Sequence, residues 1–131
     1  MAVVINIKEE NNSTTKYLLS NYLNKNTSTA INELSQTNMK LFVLGDGDTI
    51  IDQYPSQKTS LYKDSVIALL TNNYNKSMPN LIGLSYKDAY NILKLMNVKF
   101  TFNGNGYVTG QSIPENTIVT DDIEIVINLE K

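Results

Sequence analysis

The sequence predicts an α+β chain of two tandem units, each a single helix packed on a three-stranded β-sheet. Three observations lead there. First, an internal repeat aligns the two halves of the 131-residue chain. Ala30 and Leu34 fall on Ala89 and Leu93, 59 residues on, and Asn38 and Lys40 on Asn97 and Lys99. Gly45 and Gly47 fall on Gly104 and Gly106; one residue is then lost, so Gln53 falls on Gln111, and the register returns at Pro55 and Pro114. Second, each copy carries an apolar stripe of helical period. Third, each copy ends in an apolar run with strand character. A repeat of this kind sets the fold before any single element does.

The elements follow in order. Val3 to Ile7 reads as a strand and Ser13 to Leu23 as partly helical, both ahead of the repeat. In the first repeat the pattern predicts a helix from Thr27 to Asn38. Strands follow at Lys40 to Leu44, Thr49 to Gln53 and Ser65 to Leu70. In the second repeat Ser85 caps a helix running to Met96, with Ala89, Ile92, Leu93 and Met96 on one face. Asn97 suits the left-handed C-cap. Val98 to Phe102 and Tyr107 to Gln111 read as strands, joined by Gly104-Asn105-Gly106. That triplet, like Gly45-Asp46-Gly47, reads as a hairpin turn because Gly and Asn accept positive φ. Ile123, Ile125, Ile127 and Leu129 alternate with Glu124, Val126, Asn128 and Glu130, a strand with one buried face. Thr71 to Ser77 is a polar linker.

Composition narrows the chemistry. The chain has no Cys, no His and no Trp. Thiolate zinc sites, disulfides and every His-dependent catalytic triad are excluded. Net charge is −2, with no basic patch interleaved with aromatics, so nucleic acid is not an expected partner. No apolar stretch approaches the ~20 residues that span a bilayer. Ala2-Val3-Val4-Ile5 is too short for the apolar part of a signal peptide.

Several motifs suggest sharper chemistry. Ser60-Leu61-Tyr62-Lys63 matches Ser-x-x-Lys, whose catalytic form opens a buried helix facing a Lys-Thr-Gly strand. Here it lies in the turn before a terminal strand, and Lys58-Thr59-Ser60 overlaps it. Asp46, Asp48 and Asp52 suggest a calcium loop, but no Glu closes it and Asn105 and Tyr107 stand at the repeated positions. Turn-favouring aspartates are the simpler account. The glycine triplets join strands rather than precede a helix, so they are not phosphate loops. No cofactor is expected.

Met78-Pro79-Asn80-Leu81-Ile82-Gly83-Leu84-Ser85, followed by Ala89, Leu93 and Val98, resembles the opening of a PASTA domain. Gly104-Asn105-Gly106-Tyr107-Val108-Thr109-Gly110-Gln111-Ser112 with Pro114 resembles the middle of that family's pattern, and Ile123 to Asn128 its final strand. The first repeat resembles it through Gly45 to Pro55, but has Ser20 and Asn24 where the second has Pro79 and Gly83. The resemblance implies PASTA domains at 19–71 and 78–131, with residues 1–18 a linker or the remnant of a preceding domain. The join from Leu69-Leu70-Thr71 to Met78-Pro79 resembles class B penicillin-binding proteins.

That parentage implies a non-catalytic pair that binds or senses peptidoglycan or a muropeptide. It would position a transpeptidase during septal wall synthesis in a Gram-positive bacterium. It also implies non-covalent contact with a β-lactam, partnership with the parent transpeptidase domain and divisome proteins, and a place outside the membrane on an anchor elsewhere in the protein. The alternatives are the sensor ectodomain of a membrane Ser/Thr kinase, or a spacer that recruits a divisome protein. The glycan-binding candidates are Tyr86, Lys87, Tyr90, Lys94 and Tyr107. Tyrosines can stack on sugar rings and lysines can meet stem-peptide carboxylates. Scattered surface aromatics are common, and Tyr90 aligns with Ile31, which favours a half-buried role.

Overall fold

The computed structural model describes residues 17–57 and 59–131. The strand expected at Val3 to Ile7 and residues 13–16 of the expected helical segment lie outside them. The chain divides after Asn73 into two units.

In the first unit, β1 (Tyr17–Leu18) precedes α1 (Thr27–Leu34), β2 (Lys40–Leu44), β3 (Ile50–Tyr54), β4 (Ser60–Leu61) and β5 (Val66–Thr71). Residues 17–23 are not helical, against expectation. β1 pairs antiparallel with β4. The following loop is then tied to β3: the Tyr22 N–H donates to Gln53 Oε1 at 2.6 Å and the Asn24 N–H to the Ile50 carbonyl at 2.7 Å. These bonds hold the loop along the strand, where a helix would turn its N–H groups inward. α1 begins as expected, with Asn26 Oδ1 accepting from the Thr29 N–H. It ends at Leu34 rather than Asn38, where the Thr37 hydroxyl takes the Leu34 carbonyl at 2.6 Å. The core gathers Leu19, Tyr22, Ala30, Leu34, Ile50, Leu61, Ile67 and Leu69. Burial and the hydroxyl contacts of Tyr22 with Tyr17 and Glu33 hold its phenol protonated far above the usual tyrosine range.

The second unit has α2 (Tyr86–Met96), β6 (Lys99–Gly104), β7 (Tyr107–Gln111) and β8 (Glu124–Glu130). Its helix follows local signals closely. Ser85 Oγ accepts from the Asp88 N–H at 3.2 Å, and Asn97 closes the helix with φ 60° and ψ 54°. Ala89, Ile92, Leu93 and Met96 are buried as the stripe predicts. Ile125, Ile127 and Leu129 alternate inward on β8.

The strand order corrects the hairpin reading. The sheets run β2-β5-β3 and β6-β8-β7, so the last strand of each unit is central and the two strands flanking a Gly-x-Gly are never neighbours. β2 and β6 pair parallel, β3 and β7 antiparallel, with the central strand. Each Gly-x-Gly instead crosses the carboxyl end of the central strand. A Cβ on Gly104 would lie 2.3 Å from the Leu129 carbonyl oxygen, and one on Gly106 2.2 Å from that of Glu130. Both glycines also have positive φ, 93° and 112°. Close backbone approach demands glycine here as much as turn geometry does.

The two units correspond residue by residue more fully than the sequence suggested. Leu19 and Met78 are buried at equivalent points, as are Tyr22 and Leu81. Asn24 (φ 67°) and Gly83 (φ 91°) share a left-handed turn. Their N–H groups donate to Ile50 and Val108, which also correspond. The β1–β4 pair has its counterpart in the isolated bridge between Ser77 and Ile118.

One glutamine staples each unit in the same way. Gln111 accepts from the Leu81 N–H at 2.9 Å and donates to the carbonyls of Pro79 (3.1 Å) and Ile113 (2.9 Å). Gln53 accepts from Tyr22 and donates to Ser20 and Pro55, each at 3.1 Å. Pro55 therefore matches Ile113, one residue before Pro114, and the register does not return there.

Candidate functional site

Helical spacing sets Tyr86, Tyr90 and Lys94 in one row along α2, four residues apart. Strand alternation on β6 turns Phe100 and Phe102 to the same side. They pair with Ile125 and Ile127, whose side chains are buried beneath the helix. The two rows meet in a four-ring cluster. Tyr86 stacks on Tyr90 with centroids 5.8 Å apart, and Phe102 meets Tyr86 edge-on at 4.6 Å. Phe100 meets Tyr90 at 5.5 Å and Phe102 at 5.8 Å, both edge-on. The Lys94 ammonium lies 5.7 Å from the Tyr90 centroid. Edge-to-face and offset pairs of this kind add about 0.5–1.5 kcal/mol each beyond burial. The cluster is thus a fixed surface. Tyr86 remains 48% exposed, and Lys94 lies beside its stacking partner Tyr90.

Three of the five sequence candidates, Tyr86, Tyr90 and Lys94, come together here. Lys87 is exposed on α2, and its carbonyl accepts from Asn91 Nδ2. Tyr107 stands elsewhere. It opens β7 opposite Glu130, while its neighbour Val108 is buried opposite Leu129. Tyr107 therefore projects from the sheet face away from the helix and is 60% exposed. Phe100 and Phe102 join the cluster without having been singled out. Their signal was present, since an alternating aromatic pair followed directly on a helix bearing Tyr86 and Tyr90. In the first unit the equivalent positions hold Thr27, Ile31, Leu41 and Val43, with Ser35 for Lys94, so no ring cluster exists there.

The other motifs fall to structural roles. Ser60 is an exposed residue of the two-residue β4, opposite Leu18. It is therefore in a strand, not a turn, and not on a buried helix as the acylating motif requires. Asp46 accepts from Asn73 Nδ2 at 2.8 Å. Asp48 accepts from the Thr49 hydroxyl at 3.0 Å, and the Gln53 N–H donates to Asp52 at 2.9 Å. The three carboxylates answer local donors rather than converging on a cation. No helix among the described residues is long and apolar enough to cross a membrane.

Comparison with known proteins agrees with this architecture. Residues 76–131 match the PASTA domain family. No curated protein matches the chain. Among solved structures, penicillin binding protein 2X from Streptococcus thermophilus is 25% identical with a TM-score of 0.76, covering 89% of this chain. The chain spans 17% of that protein. The three-PASTA-domain portion of a Ser/Thr kinase from Staphylococcus aureus is 22% identical with a TM-score of 0.31, over 83% of this chain and 64% of that one. The entire extracellular region of the Ser/Thr kinase PrkC from Staphylococcus aureus is 20% identical with a TM-score of 0.33, over 85% and 46%. The second unit, with its capped helix, its central last strand and its glycine crossover, is the part of the chain that matches the PASTA domain family.

Proposed function

We propose that both units are PASTA domains of a penicillin-binding protein. They form a non-catalytic pair that binds peptidoglycan and positions the transpeptidase domain during septal wall synthesis. The supporting observation is the likeness to penicillin binding protein 2X, which extends over 89% of this chain and so takes in both units. The glutamine staple and left-handed turn shared by the first unit add to it. This reading places the pair on the outer face of the cell membrane, beside its divisome partners.

The wall-binding surface in this reading is the aromatic cluster of the second unit. Tyr86 offers a ring for an apolar stem residue, and Lys94 offers a charge for a stem carboxylate. The surface is shallow, and good small-molecule sites are concave. A dissociation constant of ~1 mM, about −4 kcal/mol, is therefore expected for a soluble muropeptide. Titration of the isotopically labelled chain should shift resonances of Tyr86, Tyr90, Lys94, Phe100 and Phe102, and Tyr86→Ala should weaken the response. Shifts confined to residues 27–71 would move the site to the first unit. No shift at ten times the expected constant would leave the chain a structural spacer.

A further inference from the structure

The sheet of the second unit has a face that the helix does not cover, and its chemistry differs from the same face in the first unit. Register places Thr101 beside Val126, and Asn103 beside Asn128, which in turn lies beside Gly110. Thr101, Asn103 and Asn128 are exposed, and Tyr107 stands at the end of the patch. The residues at the positions of Thr101, Asn103, Val126 and Asn128 in the first unit are Phe42, Leu44, Ala68 and Leu70. Hydrogen-bonding side chains have replaced apolar ones at three of the four positions.

We propose that this face, centred on Asn128 and flanked by Tyr107, binds the neutral, N-acetylated glycan strand of the wall. The inference rests on the wall-binding reading above and assigns the sugar backbone to a second surface, apart from the aromatic cluster. Three features carry it. The first is hydrogen-bonding capacity. Asn103 Nδ2 donates to Asn128 Oδ1 at 3.4 Å, a long bond that uses one donor and one lone pair of the two amides. Each amide has two donors and two lone pairs, so most of that capacity still faces solvent. A glycan bearing hydroxyl and acetamido groups supplies donors and acceptors in the same mixture.

The second feature is shape. A Cβ on Gly110 would sit 3.5 Å from Asn128 Nδ2. The glycine therefore leaves a shallow notch beside Asn128. Tyr107, 60% exposed, presents a ring near its end on which the C–H face of a sugar can stack.

The third feature is charge. The centre of the face carries none. At its ends stand Glu124, in register with Lys99, and Glu130, in register with Tyr107. Glu130 disfavours a stem-peptide carboxylate beside Tyr107 and leaves a neutral glycan unopposed.

The test uses tetra-N-acetylchitotetraose, a neutral oligosaccharide with no peptide, titrated into the labelled intact chain. Backbone and side-chain amide shifts are expected at Thr101, Asn103, Tyr107, Gly110 and Asn128. Asn128→Leu, which installs the first unit's own residue, should weaken the oligosaccharide response at least tenfold. The isosteric Asn128→Asp should weaken it as well, which separates recognition from any change of shape. Both variants should retain the parent's muropeptide shifts at Tyr86 and Tyr90. Oligosaccharide shifts confined to Tyr86 and Tyr90, no shift at all, or full binding by both variants would each overturn the proposal. The muropeptide response would still stand or fall separately with the wall-binding reading.

Discussion

Truncating Leu93 to alanine is expected to destabilise the second unit by about 2–5 kcal/mol, the range for fully buried leucines. Leu93 is 0% exposed, on the stripe it shares with Ala89, Ile92 and Met96. It faces the inward side chains of β8, so its removal leaves a cavity between helix and sheet that neither can close without losing other contacts. A kilocalorie shifts the melting temperature of a domain this size by roughly 4–8 °C. Calorimetry of the variant should therefore show a fall of about 10 °C or more in the transition assigned to this unit. A melting curve within a degree or two of the parent would mean that the stripe does not form the core.

A comparable loss is expected from Gly104→Ala, for a different reason. The added methyl would meet the Leu129 carbonyl oxygen at 2.3 Å, in the middle strand of the sheet, and the residue would be forced to hold φ near 93°. Strain in this φ region alone costs about 1–3 kcal/mol, and displacing backbone of the central strand adds to it. We expect about 3 kcal/mol or more. Gly83→Asn provides the control. Gly83 has φ 91° but nothing within 4 Å of an added Cβ. Asn24 already holds the equivalent turn at φ 67°, and Asn is among the residues that tolerate it. The cost there should stay within about 1 kcal/mol. Equal losses at the two positions, measured by denaturant unfolding, would show that conformation alone, and not the crossover over β8, demands the glycine.

The parts of this fold that were legible in the sequence are those set by local chemistry. The Ser85 cap, the Asn97 terminus and the buried stripe between them are each decided by a few adjacent residues. The alternation of Ile125, Ile127 and Leu129 reported which side of β8 is buried. Alternation says nothing about which strands are neighbours. The crossover glycines were therefore read as hairpins, although β7 and β6 both lie against β8.

The entry to the first unit was obscured by substitution. Ser20, Tyr22 and Asn24 replace Pro79, Leu81 and Gly83, yet each does the same physical job. A backbone carbonyl needs no particular side chain to accept from Gln53, a tyrosine can fill a leucine's buried place, and asparagine can take positive φ. At the candidate site, helical spacing brought Tyr86, Tyr90 and Lys94 together. Phe100 and Phe102 were passed over although their alternation was visible, because a strand phenylalanine reads as core and their ring contacts appear only once β6 is set against the helix. Tyr107 was grouped with them by composition, and the sheet separates it by one face.

Co-sedimentation with purified, insoluble cell-wall sacculi tests the claim that this chain is a wall-binding module most directly. Weak contacts distributed along a polymer reinforce one another through effective concentration. The intact chain is therefore expected in the pellet even though a single soluble fragment binds at only ~1 mM. Tyr86→Ala combined with Asn128→Leu should return it to the supernatant with its fold intact. A parent chain that stays in the supernatant at every wall loading, or a double variant that pellets as fully as the parent, would contradict the account.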